Sequence, residues 1–477
     1  MKITKGQWLF VLGVFVVNAV IWIVPSDVVE LVARDRPTLL GCYSREHFAW
    51  IIGLIPVSAV ALYLHLSPGS AVKKMKAFRV AAILLVLVPS VLAIDVYLRL
   101  TTDYHYVLGD LAYRRPTHTV LTDVYEDKPQ AIRTYPHAPP GFGKATFRIT
   151  TDSRGYRNSV DLDQYDVLAL GDSFTEGSKV QDDEAWPAQF ARLSGLSVCN
   201  LGMSGYAPQH CLAVLKYPGL SLKPKYVLCL FFEGNDFRAA GKTAKAPSQW
   251  SRYFKRSPIV QAIDESLIEH LGPIGAQRDV EGLDMLSWLP IAFPPGPAVR
   301  YYTLEPGVLA EHFISRSDFE KSKYWDRTRY NLERMRELCR EAGAELIVVY
   351  APTKEHVVLP LVSDSLPAEK VRAFAALRAK EELPEPQTFL KELLADLPAK
   401  EAVLSDWCRN VGTPFVSLTE PLRDAVRSGR QPYYTYNEHW SPIGQKVAAE
   451  TVYRFWIDRA ARSDAGLTAG SRASDDS

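Results

Sequence analysis

Residues 167–177 read Val-Leu-Ala-Leu-Gly-Asp-Ser-Phe-Thr-Glu-Gly. Four apolar residues without alternation fit a strand buried on both faces better than one with a wet side. Gly171-Asp172-Ser173 then ends the run abruptly, with residues suited to a turn and a helix cap. Ser173 would therefore stand just past the carboxyl end of a strand, where open α/β sheets hold their ligands. An ordinary strand-to-helix turn with a capping serine has the same local sequence, so the rest of the chain must decide between them.

Downstream, the pattern alternates. Residues 165–170 give a first strand, 186–193 a helix, 197–201 a second strand, and 208–215 a helix opening on Pro208. Residues 226–232 (YVLCLFF) are a third, wholly apolar strand. The period is then lost over 237–323, which is rich in Pro, carries Trp250 and Trp288, and reads as an insertion. A helix over 324–343 and a fourth strand, ELIVVY at 345–350, resume the pattern. After a second insertion at about 359–400 come a helix to Asn410, a short strand over 414–418 and a closing helix from Pro442 to Arg459. Apolar strands alternating with helices predict a parallel sheet of about five strands, covered on both faces. The expected fold is thus α/β, a three-layer flavodoxin-like domain spanning 165–462. The polar residues 463–477 are expected to form a disordered tail.

Upstream, three apolar runs at 8–25, 49–66 and 80–98 are each near the length of a membrane span. Asn18, His65 and Asp95 are their strongly polar interruptions. Lys2 and Lys5 precede the first run, and Lys73, Lys74, Lys76 and Arg79 fill the second loop. The first loop carries one more acid than base. Positive residues stay on the cytoplasmic side, so three transmembrane helices over 1–100 would leave the remainder of the chain outside. No small-x-small site follows the first run, which argues against a cleaved signal peptide. The expected location is the inner (plasma) membrane, multi-pass, in contact with the lipid bilayer. Residues 101–164 read as a stalk and docking segment, with a strand and turn at 146–158.

A chain of 477 residues has room for more than one domain, and a net charge of +1 gives no sign of a nucleic-acid partner. Six cysteines (Cys42, Cys199, Cys211, Cys229, Cys339, Cys408) contain no C-x-x-C pair, which argues against a zinc or redox motif. Cys199 and Cys229 fall in strand-like runs and read as core thiols, while a Cys339–Cys408 disulfide stays open.

Loops after successive parallel strands gather at one sheet edge. Here they hold Asp172-Ser173, then 200–206 (NLGMSGY), then 233–236 (EGND), and past the fifth strand 436–442 (YNEHWSP). Thr175 in place of Gly excludes the G-x-S-x-G elbow. The four stretches, in this order, resemble the signature blocks of the SGNH (GDSL-type) hydrolases, over about 166–459 without the insertions. In that resemblance Ser173 is the nucleophile and His439 the base, with Gly205 and Asn235 supplying oxyanion donors beside the Ser173 N–H. The chemistry agrees: an ester carbonyl under attack needs a nucleophile, a base and donors for the developing charge. It calls for no metal and no cofactor. Taken singly, Gly205 could be a turn glycine, Asn235 an Asx-turn residue, and His439 a residue ahead of the Ser441 cap.

The family normally carries an aspartate two or three residues before the histidine, where this chain has Asn437 and Tyr436. Another group orients His439, or Glu438 substitutes, or the pair works as a slow dyad, or the domain is non-catalytic. Residues 350–357 (YAPTKEHV) resemble a P-x-K-x-x-V element of membrane-tethered SGNH proteins of the alginate O-acetyltransferase type. Lys354 there is read as a solvated loop lysine, or one that meets an anionic substrate group. Three functions follow: an esterase acting on acyl esters, chiefly O-acetyl esters of an extracytoplasmic glycan; a polysaccharide O-acetyltransferase using the same Ser–His site; or a non-catalytic glycan-binding or assembly protein.

Overall fold

The computed structural model describes residues 4–23, 45–66, 70–101, 107–108, 113–128, 138–241, 289–293, 299–379 and 381–474. The first-loop charges, Cys42 and most of the first insertion (242–288) lie outside the described residues. Two compact units divide the chain. The first contains the helices of residues 5–101, and the second contains 107–128 and everything described from 139 onward.

In the first unit, α1 (Lys5–Ile23), α2 (Arg45–His65) and α3 (Ser70–Thr101) fall on the three apolar runs. Among the described residues, α1 is the one helix long and apolar enough to cross a membrane, by length and composition. This is one span where three were expected. In α2 the apolar stretch shortens to Gly53–His65, short of the roughly 20 residues that a bilayer needs. In α3 the first turns carry Lys73, Lys74, Lys76 and Arg79. Asn18 of α1 donates to Val14 O and, at 2.9 Å, to Ser58 Oγ of α2, so the polar break in the first run is satisfied between helices.

After a short antiparallel pair, Val107–Leu108 with Tyr113–Arg114, the second unit forms an antiparallel hairpin, β1 (Val120–Glu126) and β2 (Lys144–Thr150). It continues with β3 (Val167–Leu170), β4 (Val198–Asn200) and β5 (Tyr226–Phe232). A second hairpin, β6 (Leu289–Phe293) and β7 (Arg300–Leu304), stands inside the stretch read as an unpatterned insertion. Then come β8 (Glu345–Ala351) and β9 (Phe415–Ser417). Five of these strands form a parallel sheet in the order β9-β8-β5-β3-β4. Counted along the sheet strands alone, this is the 2-1-3-4-5 order of flavodoxin-like folds, whose switch point lies between the first and third strands.

Layers cover both faces. Leu168, Leu170, Val227, Cys229, Phe231, Leu346, Val348 and Tyr350 alternate along the strands into one core. Leu332, Met335, Val403, Leu404 and Trp407 pack against them from the helices Lys323–Glu341 and Ala399–Asn410. On the other face, the closing helix, Pro442–Ser474, lays Trp456 on Phe190 and Tyr226. That helix runs through 463–474, where a disordered tail was expected; Ala465, Ala469 and Ala473, the strongest helix formers, recur there and propagate a helix already begun. Cys199, Cys211, Cys229, Cys339 and Cys408 are all buried free thiols, so the Cys339–Cys408 disulfide is not formed.

Candidate active site

Ser173 opens a single-turn helix, Ser173–Glu176, directly after β3 and so beside the switch point of the sheet. Asp172 caps that turn through Oδ1, which accepts from Phe174 N at 2.9 Å. Its second oxygen is buried with no hydrogen-bond partner. Burial raises the Asp172 carboxyl to about 7. Glu176, at the other end of the turn, is fully buried. Burial pushes its carboxyl up, but the Arg115 guanidinium 2.5 Å away and the Ser204 hydrogen bonds outweigh it, and the carboxyl sits below its ordinary value.

The second loop lies tight against the first. Asn200 Nδ2 donates to Thr175 O at 2.8 Å, while its Oδ1 accepts from Gly202 N at 2.9 Å. A Cβ on Gly202 would lie 2.6 Å from Glu176 N, so only glycine permits this approach. Glu176 also accepts from Ser204 N at 3.0 Å, which fixes the residue before Gly205. Gly205 itself has φ +80°, in the left-handed region that glycine adopts without strain. After β5, Asn235 stands at the start of the helix Asp236–Ala239, its Oδ1 buried and without a partner. The preceding Glu233 accepts from Thr353 N at 3.0 Å and from His356 Nδ1 at 3.0 Å, tying the loop after β5 to that after β8.

His439 completes the group. Its Nε2 lies 2.6 Å from Ser173 Oγ across 266 residues of chain. Its ring stacks on Phe174, centroids 5.0 Å apart. The backbone N–H of His439 donates to Asn437 Oδ1 at 3.0 Å, and Nδ1 shares the same oxygen. That geometry settles the tautomer. A backbone N–H can only donate, so Asn437 must present its carbonyl oxygen there. Nδ1, on that same oxygen, then carries the proton, and Nε2 keeps a lone pair for the Ser173 hydroxyl. Burial, with help from the charges of Lys179 and Lys354, holds the imidazole well below its ordinary value, so it is neutral at pH 7.

Hydrogen bonds thus join Ser173, His439 and Asn437 directly. Gly205 and Asn235 stand at the same edge of the sheet, after β4 and β5; among the described residues no hydrogen bond ties either to Ser173 or His439. Glu438 makes no hydrogen bond to His439 among the described residues, so the alternative in which it replaces the aspartate has no counterpart here. Burial raises its carboxyl to about 7. Lys354 is neither solvated nor turned to a substrate. It is buried, and its Nζ donates to the carbonyls of Tyr434, Thr435 and Asn437 at 3.2, 2.8 and 3.1 Å. Arg115 and Arg157 come from the segment read as a stalk. Arg157 donates to Glu176 O, Val180 O and Arg148 O and pairs with Asp182, so this segment braces the turn that carries Ser173. Only the Arg-rich run between Tyr113 and Asn158 hinted at that role in the sequence. No set of three or more metal-ligating side chains occurs among the described residues.

No family model and no curated protein matches the chain. Solved structures with some likeness include a G-D-S-L family lipolytic protein from Desulfitobacterium hafniense DCB-2 (15% identity, 60% of this chain and 97% of that one, TM-score 0.28). A GDSL-like lipase from Bacteroides thetaiotaomicron VPI-5482 has 13% identity over 62% of this chain and 88% of that one, TM-score 0.28. An acetylxylan esterase, Axe2, from Geobacillus stearothermophilus has 12% identity over 62% and 95%, TM-score 0.29. At these TM-scores the likenesses carry no argument about this chain, whose reading rests on its own residues.

Proposed function

We propose that the chain is a membrane-anchored serine esterase that cleaves acyl esters, chiefly O-acetyl esters of a glycan outside the cytoplasm. One observation carries the reading: a neutral imidazole with Nδ1 on Asn437 and Nε2 2.6 Å from the hydroxyl of a serine at the sheet's switch point. In the first step Ser173 Oγ bonds to the ester carbonyl carbon as its proton moves to His439 Nε2. The carbonyl oxygen takes up the electron pair, and the N–H groups of Ser173 and Gly205 with the Asn235 amide are the donors for it. The tetrahedral adduct collapses, the alcohol leaves with the His439 proton, and water enters by the reverse route to free the acid. The non-catalytic reading drew on Asn437 alone, and an asparagine that orients the histidine removes its motive.

The anchor belongs to the same proposal. Trp8, Phe15, Ile23, Trp50, Val57, Phe78 and Leu85 of α1–α3 are all exposed, an apolar surface that lipid would cover. We read α1 as a membrane span, with the apolar surfaces of α2 and α3 also held against lipid. An organophosphonate probe on the full chain in detergent tests the esterase reading: it should label the wild type, and Ser173→Ala should abolish labelling. Undiminished labelling in Ser173→Ala would move the nucleophile elsewhere. Adding a glycan acceptor to the turnover assay separates hydrolysis from transfer, since water and a sugar hydroxyl compete for one acyl-enzyme.

A further inference from the structure

The loop that presents Asn437 and His439 is held by two buried residues of opposite charge, neither of which touches the reacting atoms. Asp127 follows β1 and is 4% exposed. Its Oδ2 accepts from Thr435 N and Phe142 N, both at 2.7 Å. Its Oδ1 accepts from Tyr436 N at 3.0 Å and from Tyr125 Oη at 2.9 Å. Four donors on one carboxyl group need an acceptor-only carboxylate. From the other direction Lys354, 3% exposed, gives its three protons to the carbonyls of Tyr434, Thr435 and Asn437. Three acceptors on one nitrogen need an ammonium. Within this short loop the amides of 435 and 436 are held by an anion, and the carbonyls of 434, 435 and 437 by a cation. Such bonds to charged groups are stronger than neutral ones. Thr303 N adds a neutral bond to Thr435 O at 3.0 Å.

We infer that Asp127 and Lys354 are positioning residues, a paired clamp on the loop 434–437 that sets where Asn437 Oδ1, and through it the His439 ring, meets Ser173. The clamp takes over a task that a charged partner of His439 would otherwise perform. A carboxylate attracts the imidazole's N–H strongly enough to correct a loose loop, whereas a neutral amide oxygen holds it more weakly. The backbone bearing Asn437 must then be fixed by other means. The inference rests on the esterase reading for its rate readout, and has a second readout that does not need it.

The experiment uses the full chain in detergent micelles with Asp127→Asn, Lys354→Met, Lys354→Arg and the Asp127→Asn/Lys354→Met double variant. Turnover of p-nitrophenyl acetate should lose about 10²-fold in kcat in each of the first two, the cost of a displacement of the order of 1 Å, with KM little changed. Lys354→Arg should recover much of the loss, because it keeps a cation with several donors. The double variant should lose little more than the worse single, because both act on one loop. Multiplying losses, or an unchanged kcat in both singles, would overturn the inference. Independently of turnover, ¹⁵N-histidine spectra should show His439 as the Nδ1–H tautomer in the wild type and as a mixture in both variants; a pure Nδ1–H tautomer in both variants would overturn it. If wild-type turnover proves independent of Ser173, the esterase reading falls while the tautomer readout still judges the clamp. Should the variants fail to fold, wild-type hydrogen exchange decides: slow exchange at Thr435 and Tyr436 supports the clamp, and exchange at the rate of an open loop overturns it.

Discussion

On the esterase reading, Asn437 stands where a charged partner of the histidine would be expected, and its effect depends on which end of the amide faces the ring. An amide that turns its NH2 toward Nδ1 imposes the wrong tautomer and slows a triad about 10⁴-fold. Here the His439 backbone N–H occupies the same acceptor, so the oxygen is held in place and the tautomer is right. What the amide cannot supply is charge. As Ser173 is deprotonated an imidazolium forms, and a carboxylate would stabilise it where a neutral oxygen does so less. Asn437→Asp should therefore raise the rate of short-chain ester hydrolysis. It should also move the acidic limb of kcat/KM. Burial and the neighbouring lysine charges depress His439, so on the esterase reading wild-type activity should persist well below pH 6.5. A new anion raises the imidazole's affinity for a proton, so in the variant activity falls off at a higher pH. A pH–rate profile that does not move would show that the aspartate carries no charge beside the ring.

At the scale of elements, the turn that carries Ser173 depends on a buried ion pair made by a segment with no strand of the central sheet. Arg115 and Glu176 are both almost wholly buried, and removing one partner of such a pair leaves an uncompensated charge. Arg115→Met should cost about 3–5 kcal/mol in urea unfolding, and adding Glu176→Gln should return part of it. Equal stability of Arg115→Met and wild type would mean that Arg157 alone neutralises Glu176. The same contrast marks what the sequence made legible. The longer sheet strands could be read because each is an apolar run with no alternation, and Ser173 and Asn235 could be singled out because each follows such a run closely; His439 lies beyond a further helix, and only its motif marked it. Asp127 could not: one carboxylate in a polar segment has no pattern, and the amides it holds lie 308 and 309 residues away. Lys354 was visible as a motif residue, but its burial comes from tertiary packing. The β6–β7 hairpin escaped because Pro290 and the flanking prolines mask its short strands.

For the whole molecule, the question is on which side of a bilayer the second unit works. Basic residues flank α1 on its amino side and crowd the start of α3, so three spans would leave residues beyond 101 outside the cytoplasm. Alkaline phosphatase and green fluorescent protein fused at residue 110 report this directly. Phosphatase activity without fluorescence is expected, and fluorescence without phosphatase activity would refute the orientation.

The reach of the Ser173–His439 bond has a consequence for biosynthesis. The serine emerges from the ribosome 266 residues before the histidine, an interval of about 13–50 s at ordinary elongation rates of about 5–20 residues per second. Gln445, which accepts from Trp186 N and donates to Phe174 O, arrives later still. On the esterase reading, the nascent chain carries an unarmed serine throughout that interval, so no acyl group can be captured before His439 has been made. On the esterase reading, chains that terminate before His439 are inert for the same reason: translation itself acts as the safety catch.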